Sequence, residues 1–532
     1  MGYDVAIIGG GHNGLVCACY LAGAGLKVRV IERRPVVGGA AITGEFHPGF
    51  RNSTLAYTVS LLDPGVIRDL RLAEHGLRIV QRPMANFLPL ADGGAFRVGP
   101  DAAATQAEVA RFSARDAARL PGYYAMLERV ADVLRGLARE TPPRMAGGIA
   151  DLLGAWRVGR HLRALDLPAR RDLLELFTRS AGELLDGWFE SDPVKAAFGF
   201  DAVVGNFASP YAAGSAYVLL HHCFGEVNGA RGKWGHAIGG MGAITQAMAA
   251  EAASRGVEIT TGAEVARVRV RAGRVAGVVL ADGTEIDARS IASNVEPSLL
   301  YLHLVEQAHL EAEFRERIAR WRLGSGSLRI NVALSGLPDF TCAPGTHAQP
   351  HHGAGIIMAP SLAYMDRAWM DAREHGWSRA PIVEMLIPST VDQTLAPPGA
   401  HVASLFCQQF SPVLPGGKSW DEDREAAADA AIDVVNGFAS NFRASILARQ
   451  VFTPLDMERE FGLTRGDIFH GALSLDQLFA ARPVLGHGDY RGPIRGLYHC
   501  GAGAHPGGGV SGLPGHNCAR EMLRDFRRGR LR

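Results

Sequence analysis

The chain has 532 residues, 47% of them hydrophobic and 20% charged, enough for roughly two to four domain-sized units with a large core. Its 55 basic and 54 acidic residues leave a net charge of +1, which argues against a nucleic-acid-binding face. The seven cysteines are scattered without a C-x-x-C pair, which argues against a disulfide framework, a zinc site and a dithiol redox centre, and makes a reducing compartment the simplest reading.

The chain enters "YDVAIIGGG" almost at once, so no leader peptide is expected. No uninterrupted apolar run reaches the ~18 residues of a spanning helix. A cytoplasmic protein is expected, with peripheral membrane contact open. Val5 to Ile8 form a short apolar run, as a central parallel strand would. Gly9, Gly11 and Gly14 follow it as G-x-G-x-x-G, then a helical pattern that ends at Gly25, then the alternating strand "KVRVIE". In that context Gly9 serves the tight turn, Gly11 the approach of a pyrophosphate and Gly14 the packing of helix on strand. Glu32, 18 residues past Gly14, is placed to accept hydrogen bonds from a ribose and to repel a 2′-phosphate. Gly38 and Gly39 close the stretch.

Residues 76–230 read as a mixed insert, strand-like first and then helical across 103–140 and 167–187. Near 234 a glycine turn (Gly239, Gly240, Gly242), a helix and a strand follow, then a hairpin turning at Asp282-Gly283. A second insert spans about 301–480, with "SLRINVALSGL" and "PIVEMLIP" as sheet segments. Near the end, "HPGGGVSGLPGHN" (505–517) repeats G-x-G-x-x-G as Gly507, Gly509 and Gly512. Too little chain remains for a second dinucleotide fold, and Pro514 fits the first turn of a helix starting near 510–511. The run therefore reads as a bend and a helix N-terminus aimed at negative charge.

Together, "RRPVVGG", "GGAAITGEFHPGF", "GGMGAITQAMA", "GDIFHGALSLDQLFAARP" and "GLYHCGAGAHPGGGVSGLPGHNCA" resemble the amine-oxidase and phytoene-desaturase superfamily of FAD enzymes. Within it they resemble the subgroup of pyridine nucleotide-disulfide oxidoreductase domain-containing and carotenoid ketolase-type proteins. The resemblance covers nearly the whole chain. It implies an α/β fold: a discontinuous Rossmann-like FAD domain (1–75, 231–300, 481–532) and an α+β substrate domain (76–230, 301–480). It implies non-covalent FAD, with Gly38, Gly39 and Ala40 beyond the first ribose. Ala40 stands where many members carry arginine, so that role is vacant or filled from elsewhere. Val265 would meet the adenine through its backbone, or be a plain core residue of a hairpin. Gly501 would lie near the pyrophosphate and ribityl chain, and Gly508, Gly509 and Val510 beside the flavin ring. Both glycine runs would then hold one FAD. The missing C-x-x-C and missing second nucleotide fold speak against disulfide reductase chemistry.

The expected activity is hydride transfer from an apolar, carotenoid- or isoprenoid-like small molecule to the flavin, as a dehydrogenase, desaturase or oxidase. An amine or amino-acid oxidase, with Arg51 as the arginine to check, a partner-binding flavoprotein and a redox-neutral isomerase stay open. His505, just before the bend, is the candidate polar group at the flavin; a structural histidine capping backbone groups is the alternative. Lys233 reads as a surface or salt-bridge residue rather than a flavin-proximal lysine. His221-His222 and His351-His352 lack metal-ligand spacing. The tail arginines Arg524, Arg527, Arg528, Arg530 and Arg532 read as a solvated helix end or as a foot on a membrane surface.

Overall fold

A computed structural model of the chain describes residues 2–531 except positions 146, 148 and 164; Arg532 lies outside the described residues. The apolar run after Asp4 forms the strand Tyr3–Ile8 at the centre of the first sheet. It pairs in parallel with Val28–Ile31 on one side and Glu285–Ser293 on the other. Glu258–Thr260 and Leu497–His499 extend the parallel set outward. The first part of Glu285–Ser293 also pairs with Arg274–Leu280, which pairs with Val265–Arg271, so an antiparallel ribbon grows from one edge. The ribbon turns at Asp282-Gly283, where the Asp282 carboxylate accepts from the Thr284 N–H at 2.9 Å.

The helix His12–Gly23 is buried almost all round, between the helices Gly242–Ser254 and Leu513–Arg527. Its close fit depends on small residues. A Cβ on Gly14 would sit 2.3 Å from the Gly9 carbonyl oxygen, and one on Gly515 would sit 2.1 Å from that of Asn13. The final helix starts at Leu513, two to three residues later than the proline rule suggests, because Gly512 takes φ +76° as its N-cap.

The second sheet runs in the order Ile446–Phe452, Ser327–Leu334, His401–Phe410, Trp377–Leu386, Gly355–Met358, Asn86–Pro89 and Ala95–Val98. Every pairing is antiparallel except that of Gly355–Met358 with Asn86–Pro89. The helix Trp420–Phe438 buries Ala427, Ala428, Ala431, Ile432 and Val435 against this sheet. The helices between 102 and 138 and between 167 and 223 share a core with Phe96, Ile357, Ile382 and Phe406 of its strands. The parallel strands of the first sheet end at Ile8, Ile31, Ser293 and His499. Ligands of open α/β sheets bind in the crevice outside such carboxyl ends.

Candidate active site

A cavity opens there, enclosing about 2010 Å³ of space between atoms, its mouth included. It runs from the first glycine loop past the C-terminal glycine run to the strands of the second sheet. One end is built from backbone. Gly9, Gly11, His12, Asn13, Gly39 and Ala40 line it, with Glu32, Ala263, Glu264, Val265, Asn294 and Leu299 beyond them. Gly11 and Gly38 form a bridge between the two loops, and a Cβ on Gly11 would stand 2.6 Å from the Asn294 amide nitrogen. Gly11 is also the N-cap of the buried helix, so the positive end of its dipole faces this space.

Glu32 is buried and accepts from the Gly10 N–H at 2.8 Å and from the Arg34 N–H at 2.9 Å. Each carboxylate oxygen keeps a lone pair for a ribose hydroxyl. The Asn13 Oδ1 and the His12 Nε2 are buried without a partner among the described residues. Burial pushes the His12 imidazole down to about 4, so it is neutral. Glycines that leave no room for a side chain, orphaned polar atoms and a ribose-height carboxylate fit a dinucleotide. Gly14 and Gly38 do not line the cavity; they pack the loops that do.

The C-terminal glycine run crosses the middle of the cavity. Gly508, Gly509 and Val510 line it, with Val510 at φ +57°. Ala502 lines it in place of Gly501, whose missing Cβ instead lets the backbone of Asn294 approach. Arg482 fastens this region. It is fully buried and donates to the carbonyls of Ala502 (2.8 Å) and Phe469 (2.7 Å) through Nη2, and to that of Gln477 (3.0 Å) through Nη1. The loop carrying Phe469 and His470 is thereby tied to the loop before the bend.

His505 lies elsewhere than the flavin-side expectation. It does not line the cavity. Its Nε2 is 2.9 Å from the Leu137 carbonyl, at the end of the helix Ala114–Ala138, and its ring meets Phe479 edge-on at 5.0 Å. Burial holds this imidazole down at about 4, so the neutral ring donates through Nε2–H. Asn517 donates to the next carbonyl, that of Ala138, at 2.9 Å. The two ends of "HPGGGVSGLPGHN" thus cap one helix C-terminus from outside.

The polar group beside the bend is His221. Consecutive on the helix Ser215–Cys223, His221 and His222 both line the cavity. The His221 Cε1 would lie 3.4 Å from a Cβ on Gly509. Burial, with His222 and Arg482 adding, holds the His221 imidazole well below its usual range; it bonds the Gly508 backbone and leaves Nδ1 without a partner. The His222 Nδ1–H donates to the Val218 carbonyl at 2.8 Å, and its ring stacks on Trp234.

The far end is built from side chains of four segments: Tyr57, Asp201, Arg329 and Glu384, walled by Phe200, Val204, Trp234 and Phe406, with buried Arg82 packed behind them beside Glu384. The Tyr57 hydroxyl donates to Glu384, and the Arg82 Nη1 lies 3.9 Å from the Glu384 Oε1. The Arg329 guanidinium lies over the Tyr57 ring at 4.6 Å and donates through Nη2 to Ser404, while its Nε and Nη1 have no partner among the described residues. An unmet buried donor costs roughly 1–3 kcal/mol, so this end carries strain against burial. Desolvation sets its protonation. Burial pushes Asp201 up to about 8, the Glu384 charge adding and Arg82 opposing. Burial raises Glu384 too, against the pull of Arg82. It lowers Arg329 to about 10, still charged at neutral pH.

Arg51 is exposed on the hairpin Thr43–Ser53, away from the cavity. Lys233 donates to the Pro100 carbonyl at 2.5 Å, outside it. In the tail, Arg524 pairs with Glu521, and Arg530 with Asp525 at 3.3 Å. Among the described residues no cluster is arranged to hold a metal, and no helix is long and apolar enough to cross a membrane.

Residues 14–329 match the model of the flavin-containing amine oxidoreductases. The chain is 42% identical to the rat pyridine nucleotide-disulfide oxidoreductase domain-containing protein 2, over 99% of this chain and 94% of that one. It is 25% identical to one of the limonene dehydrogenase polypeptides of Castellaniella defragrans, over 98% and 95%. To the lycopene-forming phytoene desaturase of Pantoea ananas it is 24% identical, over 96% of both. Among solved structures it resembles an oxidoreductase of Methanosarcina mazei (TM-score 0.62, 17% identity, 98% and 99% covered). It also resembles a putrescine oxidase bound to putrescine (TM-score 0.58, 14% identity, 99% of both covered). With family model and near-full-length relative in agreement, the chain belongs to the flavin-containing amine oxidoreductase family and is an FAD oxidoreductase.

Proposed function

We propose that the chain is an FAD-dependent dehydrogenase that removes two hydrogens from an allylic position of an apolar, isoprenoid-like molecule. The observation that carries this is the wall of the cavity beyond the glycine bend, where Leu61, Phe200, Val204, Trp234, Phe406 and Phe469 offer apolar and aromatic surface. Limonene dehydrogenase and phytoene desaturase, by name, act on isoprenoids, which supports the same reading. Gly9, Gly11, Gly39 and Ala40 would cradle the pyrophosphate, Glu32 the ribose, Val265 the adenine, and Gly508 to Val510 the flavin. When bound, the flavin supplies a two-electron acceptor for hydride.

The protein's own part is to exclude water, orient the carbon chain and accept one proton. His221 is placed for that proton: it is neutral, beside the bend, with Nδ1 free. Its low basicity is tolerable because loss of hydride makes the neighbouring C–H strongly acidic. Hydride leaves from one carbon, the proton from the next, and the remaining electron pair closes the new double bond.

A second reading, amine oxidation, finds support in the carboxyls of Asp201 and Glu384 at the far end. Arg82 and Arg329 stand beside them and oppose a cation. Anaerobic mixing of the holoprotein with monoterpenes, longer isoprenoids and alkylamines separates the two. Bleaching of the flavin band by isoprenoids is the expected result; bleaching by amines alone would overturn the dehydrogenase reading.

A further inference from the structure

The far end of the cavity is overbuilt for a hydrocarbon. A plain apolar substrate would leave the Arg329 Nε and Nη1 donors unmet, because the guanidinium's neighbours are the ring of Tyr57, whose hydroxyl is already committed to Glu384, and a serine already used. The charges there do not balance either. Arg82 lies behind the lining, 3.9 Å from the Glu384 carboxyl, which also accepts from Tyr57, while no carboxyl pairs with Arg329 among the described residues. One cation is left over in an enclosed space, and a guanidinium is the group best shaped for a carboxylate.

We propose that the substrate is amphipathic: an apolar chain carrying a carboxylate, which Arg329 takes at the end of the cavity away from the glycine cradle. Arg329 is then a specificity-determining residue that fixes which carbon reaches the flavin. The carboxylate completes the hydrogen bonds of the guanidinium and neutralises the surplus charge. Trp234, Phe200 and Phe406 cover the chain between the head and the bend. This rests on the flavoenzyme reading, but needs no turnover to be tested.

The test uses the FAD-loaded protein and three probes of equal length: decanoate, its methyl ester and decylamine. Flavin content is read first and reports on the flavoenzyme reading alone. Binding is then followed by perturbation of the flavin band and by calorimetry. Decanoate should bind about 10- to 100-fold more tightly than the ester, the worth of a charged hydrogen bond. Arg329→Met should erase that preference while keeping flavin content and melting temperature, and Arg329→Lys should restore part of it. Equal binding of decanoate and ester, preference for decylamine, no binding of any probe, or a preference that survives in Arg329→Met would each overturn the proposal.

Discussion

The two ends of the cavity are built from different materials. The cradle end is backbone: loops brought within contact because they lack side chains, with Glu32 as its principal charged group. The far end is side chain: arginines, carboxyls and a tyrosine from distant segments, held in a place with little water. Backbone recognises what all dinucleotides share, and buried side chains recognise what distinguishes one substrate from another. A change at the cradle should therefore cost cofactor. A change at the far end should cost selectivity and leave the cofactor alone.

The largest effect is expected from Gly11→Val, which drives a branched side chain against Asn294 and into the cradle. FAD affinity should fall by about 100-fold, with a near-apo protein on purification, measured as flavin per chain; an overpacking cost of about 3 kcal/mol, the upper end of the usual range, sets the scale. Next is Arg482→Met, which strips the donors from the carbonyls of Phe469, Gln477 and Ala502. Denaturant unfolding should show a loss of roughly 3 kcal/mol or more. Glu32→Ala should weaken FAD by about tenfold, the worth of a charged hydrogen bond to a ribose.

A smaller effect tests the far end by pH. Asp201 is held up to about 8 by burial, so it is neutral at pH 7 and ionises above about 8. Its negative charge then cancels the surplus of Arg82, Arg329 and Glu384, and decanoate binding should weaken several-fold between about pH 7 and 9. Tyr57 does not compete in that range, since burial pushes its hydroxyl well above its usual value. Asp201→Asn should flatten the profile. For stability the sign is the same: the unfolded chain releases this proton first, so the fold loses stability as pH climbs from the ordinary carboxylate range towards 8. The smallest effect belongs to His505→Ala, at about 1 kcal/mol of stability for one lost helix-capping bond. Its flavin reduction rate should stay within about twofold of wild type, whereas His221→Ala should slow it.

The cradle was legible in the sequence because its physics is local. Strand, glycine turn, helix and acid lie within the first 32 residues, and each glycine answers to a distance inside that unit. The far end was not, because Tyr57, Arg82, Asp201, Arg329 and Glu384 meet only through the topology of the second sheet and its helices. Two signals were present. Arg329 and Glu384 are single charges inside the apolar strand segments "SLRINVAL" and "PIVEML", and a buried charge needs a purpose. His505 stands next to a bend, but its side chain answers to the end of a helix 368 positions earlier. Adjacency in sequence gave the backbone's place and not the direction of the ring.

The division of labour is tested most directly by titrating FAD into deflavinated wild type, Gly11→Val and Arg329→Met. One FAD per chain is expected for wild type and Arg329→Met, with affinities within about twofold of each other as for independent sites, and a severe loss for Gly11→Val. A second FAD per chain, or a loss in Arg329→Met as large as that in Gly11→Val, would contradict it.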